Sequence, residues 1–434
     1  MQQYGKDVLF VKHVIESHLN MDIRTTFNKI RAYGPKVVVQ YLLRNWRLSS
    51  ITRRVLQVAR KRPLVPMPGI TVAGQLTDSG STNKTLRDFL WALKESGIPY
   101  QTVDFGYKHD AYKSDYEGLL TDPDEFNLTK FNYLVELGKT PIPDGVVLHR
   151  AGIHFWEYDS GVIEAFPEIV NNETVIAMCD FNYDYYKKVL PPNVRVAKVL
   201  YPFRFKDTAG FDVAAIRGKY GFKQSDFIVF FNYNFKTGYN RKNPKASIRA
   251  FSKAFKNILN AKLLFKTQKA KMFPAEAEEL RMLAVDLGVG SRFQMLDTYI
   301  PEEDIYGLTA ACDVYLSLHR GEGFGLGMAE AMSLGKPVVA TNYSANTEFT
   351  VDGCSIPVPY KMVPVENIGC DPAYYKDVKT WPEPDVDYAA DALLRLYNNP
   401  ILRKEIGEKA RRFIKEHFSI VNFRASMQAL LSVS

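Results

Sequence analysis

Two acidic residues eight positions apart, Glu322 and Glu330, bracket the run Gly323-Phe324-Gly325-Leu326-Gly327. Residues 313–318 (DVYLSL) read as a strand entering this group, residues 328–334 as a short helix stopped by Gly335 with Pro337 just beyond, and residues 338–340 as the next strand. In an open parallel sheet, ligands sit outside the carboxyl ends of the strands. Glycines opening a helix there leave its first N–H groups unpaired, which suits a phosphate. The simpler alternative is a surface turn whose glycines only permit positive φ and whose glutamates are solvated. The acid on each side of the loop and the GxP stop together favour a binding site.

Other residues could do chemistry. His149 directly follows the apolar run 146–148, which places it at a strand's carboxyl edge, with His154 as its nearest rival; a satisfied structural histidine is the competing reading. The loop Ser79-Gly80-Ser81-Thr82 follows a first strand at 70–74 and offers Gly80 as a point where a ligand approaches backbone. Lys236, Arg241 and Lys242 lie in the basic loop 236–245. Asp122-Pro123-Asp124 and Asp385-Val386-Asp387 have the DxD spacing of metal-dependent sugar transfer, but both sit among turn or helix-start residues and read as capping or solvated. The four cysteines show no metal-type spacing and fit a reducing cytosol. No metal or other cofactor is expected.

These residues need a scaffold. At 434 residues the chain exceeds the ~250–300 at which a single core usually splits. A strand-loop-helix-strand unit runs through 70–74, 84–96 and 101–105, with further strands at 145–148, 175–178 and 194–200. A second series starts with a strand at 227–231 and a helix at 245–258, whose Ile248, Phe251, Ala254 and Phe255 share one face. It continues through a strand at 263–265, a helix at 275–287, a strand at 292–296 and a helix at 302–312 into the glutamate-glycine group. Two such series, separated near 203–224, predict an α/β protein of two doubly wound domains facing each other. The absence of GxGxxG argues against a dinucleotide oxidoreductase.

Charge is uneven. Residues 1–62 carry 13 Lys and Arg against three acids, while the remainder is close to balanced, so the net charge of +8 comes from this segment. Apolar residues recur within it, predicting helices with basic faces. A packed helical arm, an interfacial membrane surface and a nucleic-acid surface compete; Trp46 and the aliphatics favour membrane over nucleic acid. No apolar run approaches the ~18 residues of a membrane span, and no signal-peptide pattern follows Met1. A cytoplasmic protein is expected, peripheral at the inner face of the plasma membrane if the segment binds lipid.

The stretch EGFGLGMAEAMSLGKPVVA resembles the E-x7-E signature of the retaining glycosyltransferases of family four, which have the two-Rossmann-domain GT-B fold. VIAMCDFNYDYYKKVLPPNVRVAKVLYPF, FIVFFNY and NPKASIRAFSKAF are similar to further segments of that family, so the likeness covers roughly residues 70–434. The basic extension at 1–62 lies outside it; for the rest it implies an acceptor domain at 63–210, a nucleotide-sugar donor domain at 211–400 and C-terminal helices at 401–434 packing back on the first domain. It implies that Glu322 contacts the donor sugar's hydroxyls and Glu330 the ribose, that the N–H groups of residues 323–327 bind sugar or phosphates, and that His149 lies near the reacting sugar. Lys242 aligns with a diphosphate-binding lysine, whereas the usual arginine position falls near Thr237, leaving Arg241 or Lys236 as the substitute. The expected activity is transfer of a sugar from a nucleoside-diphosphate donor to a glycan or lipid-linked acceptor in cell-surface polysaccharide synthesis. A sugar-nucleotide epimerase of the same fold and a non-catalytic nucleotide- or carbohydrate-binding protein are the alternatives.

Overall fold

The computed structural model describes residues 67–76, 81–105, 118–121, 131–137, 149–206, 210–366 and 375–432. The basic segment, Gly80 and the Asp122-Pro123-Asp124 group lie outside the described residues. Elements follow in the order β1 (Met67–Gly74), α1 (Ser81–Glu95), β2 (Tyr100–Asp104), β3 (Phe131–Leu137), β4 (His149–Ile153), β5 (Thr174–Ala177), α2 (Asp180–Val189) and β6 (Arg195–Lys198). A second series comprises β7 (Phe227–Asn234), α3 (Tyr239–Lys242), α4 (Pro244–Phe255), β8 (Ala261–Gln268), α5 (Pro274–Asp286), β9 (Phe293–Asp297), α6 (Glu302–Ala311), β10 (Val314–Ser317), α7 (Leu326–Ser333), β11 (Val338–Thr341) and β12 (Ile356–Val358). A hairpin, β13 (Tyr360–Pro364) and β14 (Thr380–Pro384), precedes α8 (Val386–Asn398), α9 (Pro400–His417) and α10 (Ile420–Leu431).

The strands form two six-stranded parallel sheets, ordered β2-β1-β3-β4-β5-β6 and β12-β11-β10-β7-β8-β9, the expected pair of Rossmann-like, doubly wound layers. Their interiors read as unbroken apolar runs because helices cover both faces. The buried stretch of β7, FIVFF, shows this, and α4 lays Ile248, Phe251 and Phe255 in the core. By compactness, β1–β3 belong to one unit, while Ser79–Gly97 and Ala151–Ser434 form the other. Within the latter, α10 meets α1 through Phe423 and Phe89, with ring centroids 5.5 Å apart, and Arg195 donates to the carbonyls of Leu430 and Ala429. Among the described residues no helix is long and apolar enough to cross a membrane.

Sheet order decides where a ligand goes. After β7 the chain adds β8 and β9 on one side, then returns to add β10, β11 and β12 on the other. The switch point lies between the neighbours β7 and β10, whose following loops part and leave a crevice at the carboxyl edge. The loop after β7 leads to Arg241 and Lys242, and the loop after β10 carries Glu322.

The sequence reading of His149 needs correction. His149 is the first residue of β4, and four more strand residues follow it, so the carboxyl edge falls at Ile153. The apolar run at 146–148 lies outside the described residues. The strand β3, unexpected from the sequence, explains the polar start of β4: Tyr133 stacks on the His149 ring with centroids 5.0 Å apart, and Glu136 takes Arg150 Nε at 2.6 Å. His149 is therefore engaged by a neighbouring strand, away from the edge where ligands bind.

Candidate functional site

The parting loops bring Lys242 and Glu322 together: Lys242 Nζ donates to Glu322 Oε1 at 2.5 Å. Burial pushes the Glu322 carboxyl up, but the cations of Lys242 and Arg241 outweigh it and hold the group below the usual range. An ionised carboxylate is thus kept beside an ammonium at the mouth of the crevice. Ser344 fixes its backbone, the hydroxyl oxygen accepting from Glu322 N at 3.1 Å. Ser344 holds a left-handed φ of 77°, which costs a residue with a Cβ on the order of 1–3 kcal/mol and points to a constrained site.

Beyond Glu322 the chain turns through Gly325 into α7. Gly325 sits at φ 91° and no side chain caps the helix, which leaves its first N–H groups available to an anion. Gly327 is required by space, since a Cβ there would lie 2.4 Å from Tyr315 Oη and 2.6 Å from Asn232 Oδ1. Phe324 points the other way, stacked on Tyr201 at 4.2 Å, so the loop can offer a ligand only its backbone at that position.

One turn into α7, Glu330 accepts from Tyr306 Oη at 3.0 Å. Burial pushes its carboxyl up to about 7; Lys84 opposes this and the carboxylates of Glu302 and Asp88 add to it. Lys84, at the start of α1, donates to Asp88 at 2.7 Å and lies 3.8 Å from Glu302. Its own burial would lower it, but the three surrounding carboxylates raise it to about 12. The sequence reading missed Lys84 and Tyr306, which lie far from Glu330 along the chain.

Arg241 does not present its fork to a ligand. Its Nε and Nη2 donate to Thr237 O at 3.1 and 2.6 Å, and Nη1 donates to Gly321 O at 2.7 Å. Glu157 Oε1 lies 3.5 Å from the same Nη1, and Glu322 Oε2 lies 4.0 Å away. Arg241 ties the two loops together and screens two buried acids from each other. Lys236, the other substitute, is exposed on the turn Phe235–Thr237.

Glu157 was also missed in the sequence. Its Oε2 is buried without a hydrogen-bond partner, and burial raises its carboxyl despite Arg241. The available signal was one acid inside the aromatic run HFWEY, which had to be buried with its neighbours. His154, just past the end of β4, is buried against Phe166 with Asn172 Nδ2 at 3.4 Å, and burial lowers it to about 4, so it stays neutral and structural. Arg320, next to Gly321, stacks over Trp381 of β14 at 4.5 Å and bonds Glu383 at 2.5 Å, which anchors the hairpin to the glutamate loop. Asp385 accepts from the N–H groups of Asp387 and Tyr388 as the N-cap of α8, which is the capping role expected for this DxD.

Residues 212–355 match the family model described as "Glycosyl transferases group 1". No curated protein matches the chain. Among solved structures, HepE of Anabaena in complex with UDP and glucose is similar with a TM-score of 0.57 and 14% identity, over 85% of this chain and 100% of that one. Sucrose-phosphate synthase from Thermosynechococcus elongatus has a TM-score of 0.59 and 14% identity over 85% of this chain and 100% of its own. WaaG, a glycosyltransferase involved in lipopolysaccharide biosynthesis, has a TM-score of 0.56 and 14% identity over 84% and 100%. At such identities the likeness shows the fold. The family match spans Lys242, Glu322, the glycine loop and Glu330, and the fold shared with these structures is the two-domain GT-B architecture.

Proposed function

We propose that the protein is a retaining glycosyltransferase that moves a sugar from a nucleoside-diphosphate donor to a glycan or lipid-linked acceptor in cell-surface polysaccharide synthesis, with no required metal ion. The observation that carries this reading is the Lys242–Glu322 pair at the switch point, beside an uncapped helix start. Breaking the bond from anomeric carbon to phosphate leaves negative charge on the diphosphate and positive charge on the sugar. Lys242 and the first N–H groups of α7 neutralise the former. As Lys242 turns to the diphosphate, Glu322 is released to accept from sugar hydroxyls. Glu330 accepts from the ribose. The acceptor attacks on the face the diphosphate leaves, and a diphosphate oxygen takes its proton, so the glycosidase pair of carboxylates is not required. Residues 63–210 then serve the acceptor and 211–400 the donor, and residues 1–62 hold the enzyme on an anionic membrane surface.

A thermal-shift panel of nucleotide sugars with and without chelator tests the donor reading. Stabilisation by a nucleotide sugar, undiminished by chelator, is expected. No stabilisation by any of them, or loss of the shift with chelator, contradicts it. Co-sedimentation with anionic vesicles, lost at high salt and on removal of residues 1–62, is expected of the membrane contact. Equal binding by both proteins contradicts that contact.

Glu330 gives a prediction with a defined sign. Ribose hydroxyls donate, and they donate more strongly to an ionised carboxylate than to a protonated one, while a group raised to about 7 is only partly ionised near neutrality. Nucleotide affinity should therefore rise from about pH 6 to about pH 8. Glu330→Ala should weaken binding by about 1–3 kcal/mol and flatten that rise. Calorimetry across pH reads both, and an unchanged affinity in the variant removes Glu330 from the ribose.

A further inference from the structure

Glu348 carries a carboxylate that the chemistry above does not use. It ends the single turn Ala345–Glu348 that follows β11, and its side chain is 2% exposed. Three segments distant in sequence converge on it. Lys198 Nζ, at the end of β6, donates to Oε1 at 3.0 Å, and His417 Nε2, at the end of α9, lies 2.8 Å from the same oxygen. The N–H of Asp180, the first residue of α2, donates to Oε2 at 2.8 Å. Cys179 gives α2 no side-chain cap, so Glu348 caps that helix from across the chain. Burial pushes the carboxyl up, but these partners outweigh it and hold the group down to about 2.

The other end of the same turn grips the functional site. Ser344, immediately before it, takes the N–H of Glu322 on its Oγ at 3.1 Å, and Ala345 N donates to Glu322 O at 3.3 Å. Ser344 stands at φ 77° and ψ −160°, a backbone conformation essentially reserved for glycine, and a residue with a Cβ keeps it only where its surroundings over-determine it. Between the two ends Asn346 is fully buried. Its Nδ2 donates to Thr341 O at 3.0 Å, and its Oδ1 lies 3.0 Å from Nε2 of His319, three residues before Glu322. The turn is therefore one stiff piece, with Glu322 held at one end and Glu348 at the other.

A second contact runs alongside. Phe349, next to Glu348, packs on Phe324 of the glycine loop with ring centroids 5.3 Å apart. Phe418, next to His417, packs on both, 5.9 Å from Phe349 and 5.6 Å from Phe324. Successive residues at the end of α9 thus hold the carboxylate and the glycine loop at once. A buried ion-pair hub is a weak route to stability, since well-packed apolar side chains of similar volume serve as well or better. Strain stored four residues before it, in the residue that grips Glu322, points to a role in the site.

Resting on the donor reading above, we propose that Glu348 is a positioning residue: by clamping α2, β6 and α9 it holds the turn Ala345–Glu348 in the one setting in which Ser344 fixes the Glu322 backbone, and so aims the Glu322 carboxylate at the donor sugar. Glu348 itself makes no bond to the ligand. With the clamp released, Ser344 relaxes toward an ordinary backbone conformation and lets go of Glu322 N. Lys242 and Glu330 hang from other elements, α3 and α7, so the diphosphate and the ribose keep their partners. The loss should fall on the sugar and spare the nucleotide.

Calorimetric titration of the full chain with UDP and UDP-glucose, and with GDP and GDP-mannose, tests this. Glu348→Gln keeps the side chain's shape and removes its charge. It should weaken the nucleotide sugar by about 10-fold, the scale of one hydrogen bond, and leave the parent diphosphate within about twofold. In a Glu322→Ala background the same substitution should cost nothing further, because the group it positions is gone. Circular dichroism confirms folding, and Lys198→Met gives a milder release if Glu348→Gln does not fold, with a smaller loss of the same kind. Lys198→Arg, which keeps the charge, should retain the affinity. Equal losses for nucleotide sugar and diphosphate, or a loss that adds in full to that of Glu322→Ala, would make Glu348 a structural clamp only and overturn the proposal, as would unchanged affinities. A wild type that binds none of the four, or a Glu322→Ala variant that binds the nucleotide sugar unchanged, fails earlier and overturns the donor reading itself.

Discussion

Replacing Lys242 with alanine is expected to lower turnover by about 10²–10³-fold, the scale of removing one charge-stabilising donor from a transition state. The Michaelis constant for donor should rise by much less, because the charge on the leaving diphosphate develops chiefly as the bond breaks. The structure adds a second consequence. Glu322 loses the ammonium 2.5 Å away, so its carboxyl should move up from its depressed value. The pH profile of the residual activity should therefore show a carboxylate that the wild type hides. Steady-state kinetics across pH reads both effects, and wild-type turnover in the variant would make Lys242 a surface lysine.

Arg241→Met should be the most destabilising substitution in the site, by about 3–5 kcal/mol, the range for breaking a buried ion pair from one side. Three hydrogen bonds to Thr237 O and Gly321 O disappear, and Glu157 and Glu322 then face each other in a buried space. The sign with pH follows. Protonating either acid relieves the repulsion, so the loss should be largest near neutrality and should shrink as pH falls through the carboxylate range. Arg241→Lys, which restores charge without the fork, should recover only part of the stability. Urea unfolding at several pH values reads this, and a loss under about 1 kcal/mol would place Arg241 among ordinary surface residues.

The candidates Glu322, Glu330 and Lys242 stand out in the sequence because their signal is local: acids at a fixed spacing around glycines, and a lysine just before a helix whose apolar face repeats at helical spacing. The fold was legible because alternating strands and helices leave few arrangements for a parallel sheet. What was not legible came from pairings between distant segments. His149 was placed at the wrong end of its strand because the apolar run before it suggested a strand ending there, while its partners Tyr133 and Glu136 lie on a strand with weak alternation. Arg241 read as a ligand for phosphate because nothing in YNRK reveals that Thr237 and Gly321 carbonyls take its guanidinium. Lys84 and Glu157 became visible only when α1 and the loop after β4 were brought to the glutamates.

The retained geometry of transfer is the most direct test. Proton NMR of the reaction should follow the anomeric signal as the nucleotide sugar that stabilises the protein most is consumed in the presence of an acceptor glycan. The donor's configuration at the anomeric carbon should reappear in the new glycosidic bond, with free nucleoside diphosphate released in step. A product of opposite configuration, or nucleotide sugar consumed with no glycosidic bond formed, would contradict it.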